Sequence, residues 1–223
     1  MESLIAATAL FLGMHWIVSG SPLREVIVAR TGEAPFKAGF ALIVTLSIVW
    51  MGWAYAHAPY VATWGTAQGL KPLSWVLMAL AFVLFAASVT DKNPTTLGRV
   101  PPDQVQARGM VRITRHAGLF GLGLWGLAHF LVNGDWASHL LFGSFAFQGL
   151  IGPLNLDRKY RRRYGDAWDV FARQTSYVPF AAILQGRNRL VLGEINWIAV
   201  AVGLALFVLT LVYHQAWFGA SPW

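Results

Sequence analysis

The 223-residue chain contains no cysteine, which excludes disulfides, thiolate metal sites, a nucleophilic thiol and haem attached covalently through C-x-x-C-H. Charge is scarce as well. Only 12% of the residues are Asp, Glu, Lys or Arg while 56% are hydrophobic, too few charges for an ordinary soluble domain of this size. Internal repeats are lacking. Met1-Glu2-Ser3-Leu4 supplies neither a basic segment ahead of the first apolar run nor a small-x-small cleavage site, so that run is expected to be a retained helix and not a signal peptide.

What the chain does contain is six apolar runs: Leu4–Ser19, Phe40–Ala56, Leu73–Val89, Ile113–Val132, Trp136–Leu154 and Ile195–Tyr213. Each approaches the about 20 residues that a helix needs to cross hydrocarbon. Sixteen of the 17 Lys and Arg residues fall in alternate connections. The first holds Arg24, Arg30 and Lys37; the third holds Lys92, Arg99, Arg108, Arg112 and Arg115; the fifth holds Arg158, Lys159, Arg161, Arg162, Arg163, Arg173, Arg187 and Arg189. The second holds Lys71 alone, and the fourth holds none. Positively charged connections stay on the cytoplasmic side. The expectation is therefore an all-α polytopic bundle of about six transmembrane helices, one domain over 1–223, in a bacterial inner membrane with both termini periplasmic. The net charge of +7 could suggest nucleic acid, but its placement at helix ends suits anionic lipid headgroups, so the expected partner is the bilayer.

The turn Asn133-Gly134-Asp135 is short enough to make the fourth and fifth runs antiparallel neighbours, with Asp135 as N-cap. Asp91–Arg112 carries Asn93-Pro94, Pro101-Pro102 and Gly109, which break helix. In the connection 155–193, Tyr160, Tyr164, Trp168 and Phe171 recur at helical spacing among crowded Arg and Lys, which predicts a cytoplasmic amphipathic helix in the membrane interface. That helix serves either as a surface anchor or as a cover over a site in the bundle.

Ionisable residues inside a membrane are costly and point to function. Counting about 1.5 Å per residue from the cytoplasmic anchors places His57, His139 and His214 at the outer interface, as hydrated histidines. The same count places His15 and His129 about 13 and 21 Å deep. His116 stands at the mouth of the fourth helix, about 20 Å of rise and about 220° of rotation from His129, so those two cannot hold one metal. A two-histidine iron site needs Nε2 atoms about 4 Å apart on separate helices. The depth mismatch is about 8 Å for His15 with His129 and about 12 Å for His15 with His116. Either ligation or a hydrogen bond to a neighbouring carbonyl would satisfy these side chains.

The segments MVRITRHAGLFGLGLWGLAHFLVNGD (Met110–Asp135) and RRRYGDAWDVFARQTSYVPFAAILQGRNRLVLGE (Arg161–Glu194) closely resemble the NnrU family of bacterial membrane proteins. They also resemble its plant and cyanobacterial relative, the cis-zeta-carotene isomerase. The isomerase resemblance implies a non-covalent haem b between helices, ligated at positions that match His15 and His129. Trp16, Trp125 and Phe130 are candidates to line its slot, or else ordinary bundle packing or lipid-facing residues, and Arg115-His116 stands at the helix entrance. Two positions depart from the pattern. Gly126 stands where the relative has a cysteine proposed as an alternative ligand, so no thiolate swap is available here. Ala117 stands where the family's Arg-His motif continues with proline.

The Arg115-His116 entrance and the Tyr164-Gly165 pattern also resemble the isoprenylcysteine and phospholipid methyltransferases, which use S-adenosylmethionine. Those enzymes carry adjacent glutamates in the cofactor site, and Leu154-Asn155-Leu156-Asp157 has no such pair. The expected function is accordingly a membrane haem b protein acting on an apolar small molecule, most concretely as a cis-trans isomerase of a polyene. The alternative is a non-enzymatic haem or redox accessory protein of denitrification.

Overall fold

A computed structural model describes residues 1–96 and 100–223; Arg99, one of the basic residues of the third connection, lies outside them. Regular structure among these residues is helical, apart from an isolated bridge between Ala62 and Asp135. In chain order the helices are α1 (Glu2–Gly13), α2 (Leu23–Thr31), α3 (Glu33–Ala56), α4 (Lys71–Thr90), α5 (Met110–Ile113), α6 (Ala117–Val132), α7 (Trp136–Leu150), α8 (Gly152–Tyr164), α9 (Asp166–Gln174), α10 (Ala181–Leu184) and α11 (Trp197–Phe218). A single π-helical turn, Met14–Val18, continues α1.

Three helical stretches are long and apolar enough to cross a membrane: Glu33–Ala56, Gln68–Thr90 and Trp197–Phe218. A fourth qualifies if α1 with its π turn is taken together with α2, across a bend of 82°. The expectation of six is thus met only in part, for local reasons. The fourth run was expected to begin at Ile113, but Thr114 is extended (φ −153°, ψ 140°), and α6 is left with 16 residues, about 24 Å. The fifth was expected to reach Leu154, but Pro153 cannot donate to the preceding turn, so α7 stops at Leu150 after 15 residues and α8 starts with that proline in its first turn.

The charged connections collect at one end. Arg24 and Arg163 both bind Glu33, at 2.7 and 3.1 Å, which ties the first connection to α8. Arg112 binds Glu194 at 2.7 Å, and Tyr160 donates to the Pro94 carbonyl at 3.0 Å, joining the third connection to the fifth. The opposite end holds the second and fourth connections. There Thr63 and Gly65 donate to Gly134 O, Trp136 donates to Val61 O, and Lys71 and Trp75 reach carbonyls of Trp223 and Pro222. Asp135 caps α7 as expected, accepting from Ser138 N at 2.9 Å.

The aromatic stripe of the fifth connection does not face outward. Gly165, at φ 52°, divides the expected single helix into α8 and α9. Tyr160, Trp168 and Phe171 are buried against Val111 in a core of their own. These rings cover the third connection, because burying them against protein removes more apolar surface from water than an interfacial stripe would.

Helix packing is set by close approach. A Cβ built on Gly126 of α6 would lie 2.5 Å from Ala146 N and 2.7 Å from Phe142 O of α7, and one on Gly203 of α11 would lie 2.7 Å from Val83 Cα of α4. Small residues let backbones meet where no water drives helices together. The contact also explains why position 126 carries no larger side chain: a cysteine there would push α7 away. Gly126→Ala is expected to lower stability by about 1–3 kcal/mol. Gly52→Ala, where a new Cβ meets nothing within 4 Å, should leave stability unchanged or raise it by about 0.5 kcal/mol. Thermal melting in detergent compares the two variants.

Candidate functional site

His15 lies in the π turn, a local irregularity that often marks functional positions. Its Nδ1 donates to Phe11 O at 2.8 Å, which leaves the Nε2 lone pair free. The ring packs against Phe11 at 4.6 Å and Phe40 at 5.3 Å. His129, in the last turn of α6, repeats the arrangement: its Nδ1 donates to Trp125 O at 2.9 Å, and its ring packs against Trp125 and Phe142 at 5.1 and 4.7 Å. Fixing one imidazole nitrogen on a carbonyl is how metal-binding histidines are oriented.

The two histidines border the same apolar core. Contacts from Phe11 to Phe145 at 5.2 Å and from Phe145 to Trp125 at 5.4 Å link their neighbourhoods. The imidazole beside His129 is His214, with ring centroids 6.3 Å apart and planes inclined by 25°. His214 Nδ1 donates to Ala220 O at 2.7 Å, so its Nε2 is also free. The depth count had set His214 aside as interfacial; only the packing of α11 and α6 on α4 reveals this approach.

The remaining expected site residues separate into three other places. Trp16 donates to Gln148 Oε1 at 3.0 Å and packs on Phe147, while Phe130 turns toward His139 and Trp64 at 4.5 and 5.7 Å. His139 sits among Trp64, Phe130 and Trp136 with a buried Nε2 that has no partner, a drier setting than the hydrated one expected. Arg115 and His116 belong to the charged end. Both bind Asp157, which the search for acidic pairs had passed over. Arg115 grips it bidentately, with Nε 3.1 Å from Oδ1, and His116 Nε2 lies 2.6 Å from the same oxygen. His116 is buried, and its Nδ1 has no partner.

The family can now be stated from its match to the whole of this arrangement: the family described as NnrU protein matches residues 3–222. The chain belongs to the NnrU family. This NnrU protein is 29% identical over 193 residues to the 15-cis-zeta-carotene isomerase, chloroplastic, of Zea mays, covering 84% of this chain and 52% of the relative. It is 28% identical over 190 residues to the protein of the same name from Arabidopsis thaliana, covering 82% and 52%. The chain therefore spans about half the length of these curated relatives. No solved structure matches it.

Burial opposes the charge on Asp157, but hydrogen bonds from His116 and Arg115 and the positive charge of Arg115 outweigh it and hold the carboxyl below the ordinary aspartate value of 3.8. A carboxylate depressed in the folded state stabilises above its unfolded value and loses that contribution as pH falls through the folded one. Asp157→Asn is expected to cost about 3 kcal/mol at neutral pH, because it removes the charge that answers Arg115 and replaces one of the two shared acceptor oxygens with a donor. Melting curves from pH 7 to pH 3 should show the gap between variant and wild type closing below 3.8.

Proposed function

We propose that this NnrU protein is an integral membrane haem b protein that isomerises cis double bonds in an apolar polyene. The observation that carries the reading is the free Nε2 of His129 and of His15, each set by a carbonyl four residues earlier, in a chain similar to two 15-cis-zeta-carotene isomerases. The donor chemistry suits His15 and His129 as the residues that would hold the group, and without cysteine its attachment would be non-covalent. When bound, the iron supplies a centre that withdraws electron density from a nearby double bond and lowers its rotational barrier. The protein's part is to hold and to dry. Phe11, Phe142 and Phe145, all buried, surround the two imidazoles with apolar surface and exclude water. Phe11 and Phe145 meet at 5.2 Å, so a planar group held by His15 and His129 together requires these rings to part. A second reading follows from the ring spacing of His129 and His214. Their ring centroids lie 6.3 Å apart and each has its Nδ1 on a carbonyl, so His129 and His214 would also be able to hold the group. In that reading His214 replaces His15.

The surroundings support a bilayer. Large apolar side chains stand exposed along α3 (Leu42, Leu46, Val49) and α11 (Ile198, Val202, Val208), surfaces suited to hydrocarbon. An apolar polyene would reach the core from that phase. The two-ended arrangement of the connections agrees with six passes, the shorter α6 and α7 being enclosed among the others. We place the protein in a bacterial inner membrane, where the positive-inside rule supports a cytoplasmic charged end and periplasmic termini. Alkaline phosphatase fused after Trp223 is expected to be active. An inactive phosphatase together with a fluorescent cytoplasmic reporter at that position refutes this orientation.

Detergent-purified protein should show a Soret band and the visible bands of a six-coordinate b-type haem, extractable by acid acetone. His129→Ala should lower haem content or give a five-coordinate spectrum, and His116→Ala should leave the spectrum intact because its Nε2 is committed to Asp157. Among the remaining histidines, whichever of His15→Ala and His214→Ala converts the spectrum identifies the opposite ligand. A protein that stays colourless after reconstitution with haemin defeats the cofactor reading. Haem binding without isomerisation of a cis-polyene would leave the accessory role in nitrogen-oxide respiration.

A further inference from the structure

The charged end contains a cavity that the reading above leaves without a use. It measures about 600 Å³ and is bordered by Arg115, Arg161, Arg173 and Arg187, with Asp169 and Ser176 completing its polar wall. That volume lies in the range of pockets that hold small organic ligands.

The arginines are placed by bonds that leave positive charge in excess. Arg115 is braced from behind by Asp157, and Arg161 Nε binds Asp169 at 2.8 Å. Arg187 Nη1 donates to the carbonyls of Arg173 and Thr175 at 2.5 and 2.9 Å, which pins its guanidinium across the carboxyl end of α9. Arg173 is exposed and has no ion-pair partner among the described residues. Four guanidinium groups therefore meet two carboxylates. Ser176 gives an independent sign. Only 3% of it is exposed, it lines this wall, and its hydroxyl oxygen has no hydrogen-bond partner. A buried hydroxyl left unpaired is costly, and one bordering a cationic cavity is resolved by an acceptor arriving from outside the chain.

We propose that this cavity binds the phosphate group of an anionic ligand. Planar guanidinium forks match phosphate oxygens two at a time, and the serine hydroxyl adds a neutral donor. A phosphate could come from an anionic lipid of the inner leaflet or from a soluble phosphorylated molecule. The proposal is independent of haem and of isomerisation.

The test uses the full chain in nanodiscs. Inorganic phosphate is titrated in phosphatidylcholine discs by calorimetry, and retention of phosphatidylglycerol from mixed discs is followed by native mass spectrometry. Saturable binding in the first arm identifies a soluble source; selective retention in the second, without the first, identifies a lipid. In the arm that binds, Arg173→Gln should weaken binding by about tenfold, and Arg187→Gln by at least as much. Arg30→Gln, an exposed charge on α2, should not weaken it. Arg187 pins α9, so melting curves are recorded beside the binding data, and the unpaired Arg173 keeps the test valid if Arg187→Gln unfolds. The proposal fails if neither probe binds, or if Arg30→Gln weakens binding as much as Arg173→Gln.

Discussion

The approach of α6 to α7 determines most of what surrounds the candidate site. Gly123 and Gly126 on α6 and Gly149 on α7 remove the side chains that would keep two backbones apart, and a Cβ at any of the three would overlap the facing helix. Dispersion and geometric fit hold such a close contact. Closing the two axes brings Phe142 and Phe145 of α7 onto Trp125 and His129 of α6. The same close approach leaves no room for a larger side chain one turn before His129, so the glycine at position 126 is a packing requirement. The tight turn at Asn133–Asp135 extends the hairpin, and its Gly134 carbonyl receives the second connection.

At the other end, Asp157 has the corresponding role for the polar groups. It accepts from Arg115 and His116, while the Arg115 carbonyl accepts from Asn93 Nδ2 at 2.8 Å and from the Thr95 hydroxyl. Arg115 N in turn donates to Ser176 O at 3.0 Å. One carboxylate thereby fixes the third connection, the start of α6 and the loop after α9 relative to one another. Removing a partner from such a group costs more than the pair contributes, since a buried charge would remain unanswered. The expected glutamate pair of the membrane methyltransferases has no counterpart here, and the nearest acid is fully engaged in structure.

The sequence made some of this plain and concealed the rest for identifiable reasons. Alternate clustering of Lys and Arg separated the two ends correctly, because the charge of a connection is a property of composition and needs no contacts. The cap at Asp135 was legible from local chemistry. The lengths of α6 and α7 were not, since apolar runs extend through Thr114 and Pro153, where extended backbone and a missing donor end the helices. The stripe Tyr160–Phe171 has helical spacing, but Gly165 at positive φ breaks it and turns its rings inward, a choice made by the third connection packed against it. Asp157 looked like an unremarkable member of a charged helix, and only the fold shows which cations converge on it.

The histidines show the same division between local and tertiary information. His15, His57, His129 and His214 all commit Nδ1 to a carbonyl, so a free Nε2 alone does not select a ligand. Surroundings do: His57 is exposed, while His15, His129 and His214 are at least partly covered. His15 and His214 are both related to His129, through different contacts. His15 is related to it through Phe11, Phe145 and Trp125, which α1 and α7 hold together. His214 is related to it through α4, on which α11 rests by way of Gly203 and α6 by way of Gly121. His129 thus stands where two helix interfaces end, one closed on α4 by small residues and the other between α1 and α7 by aromatic contact.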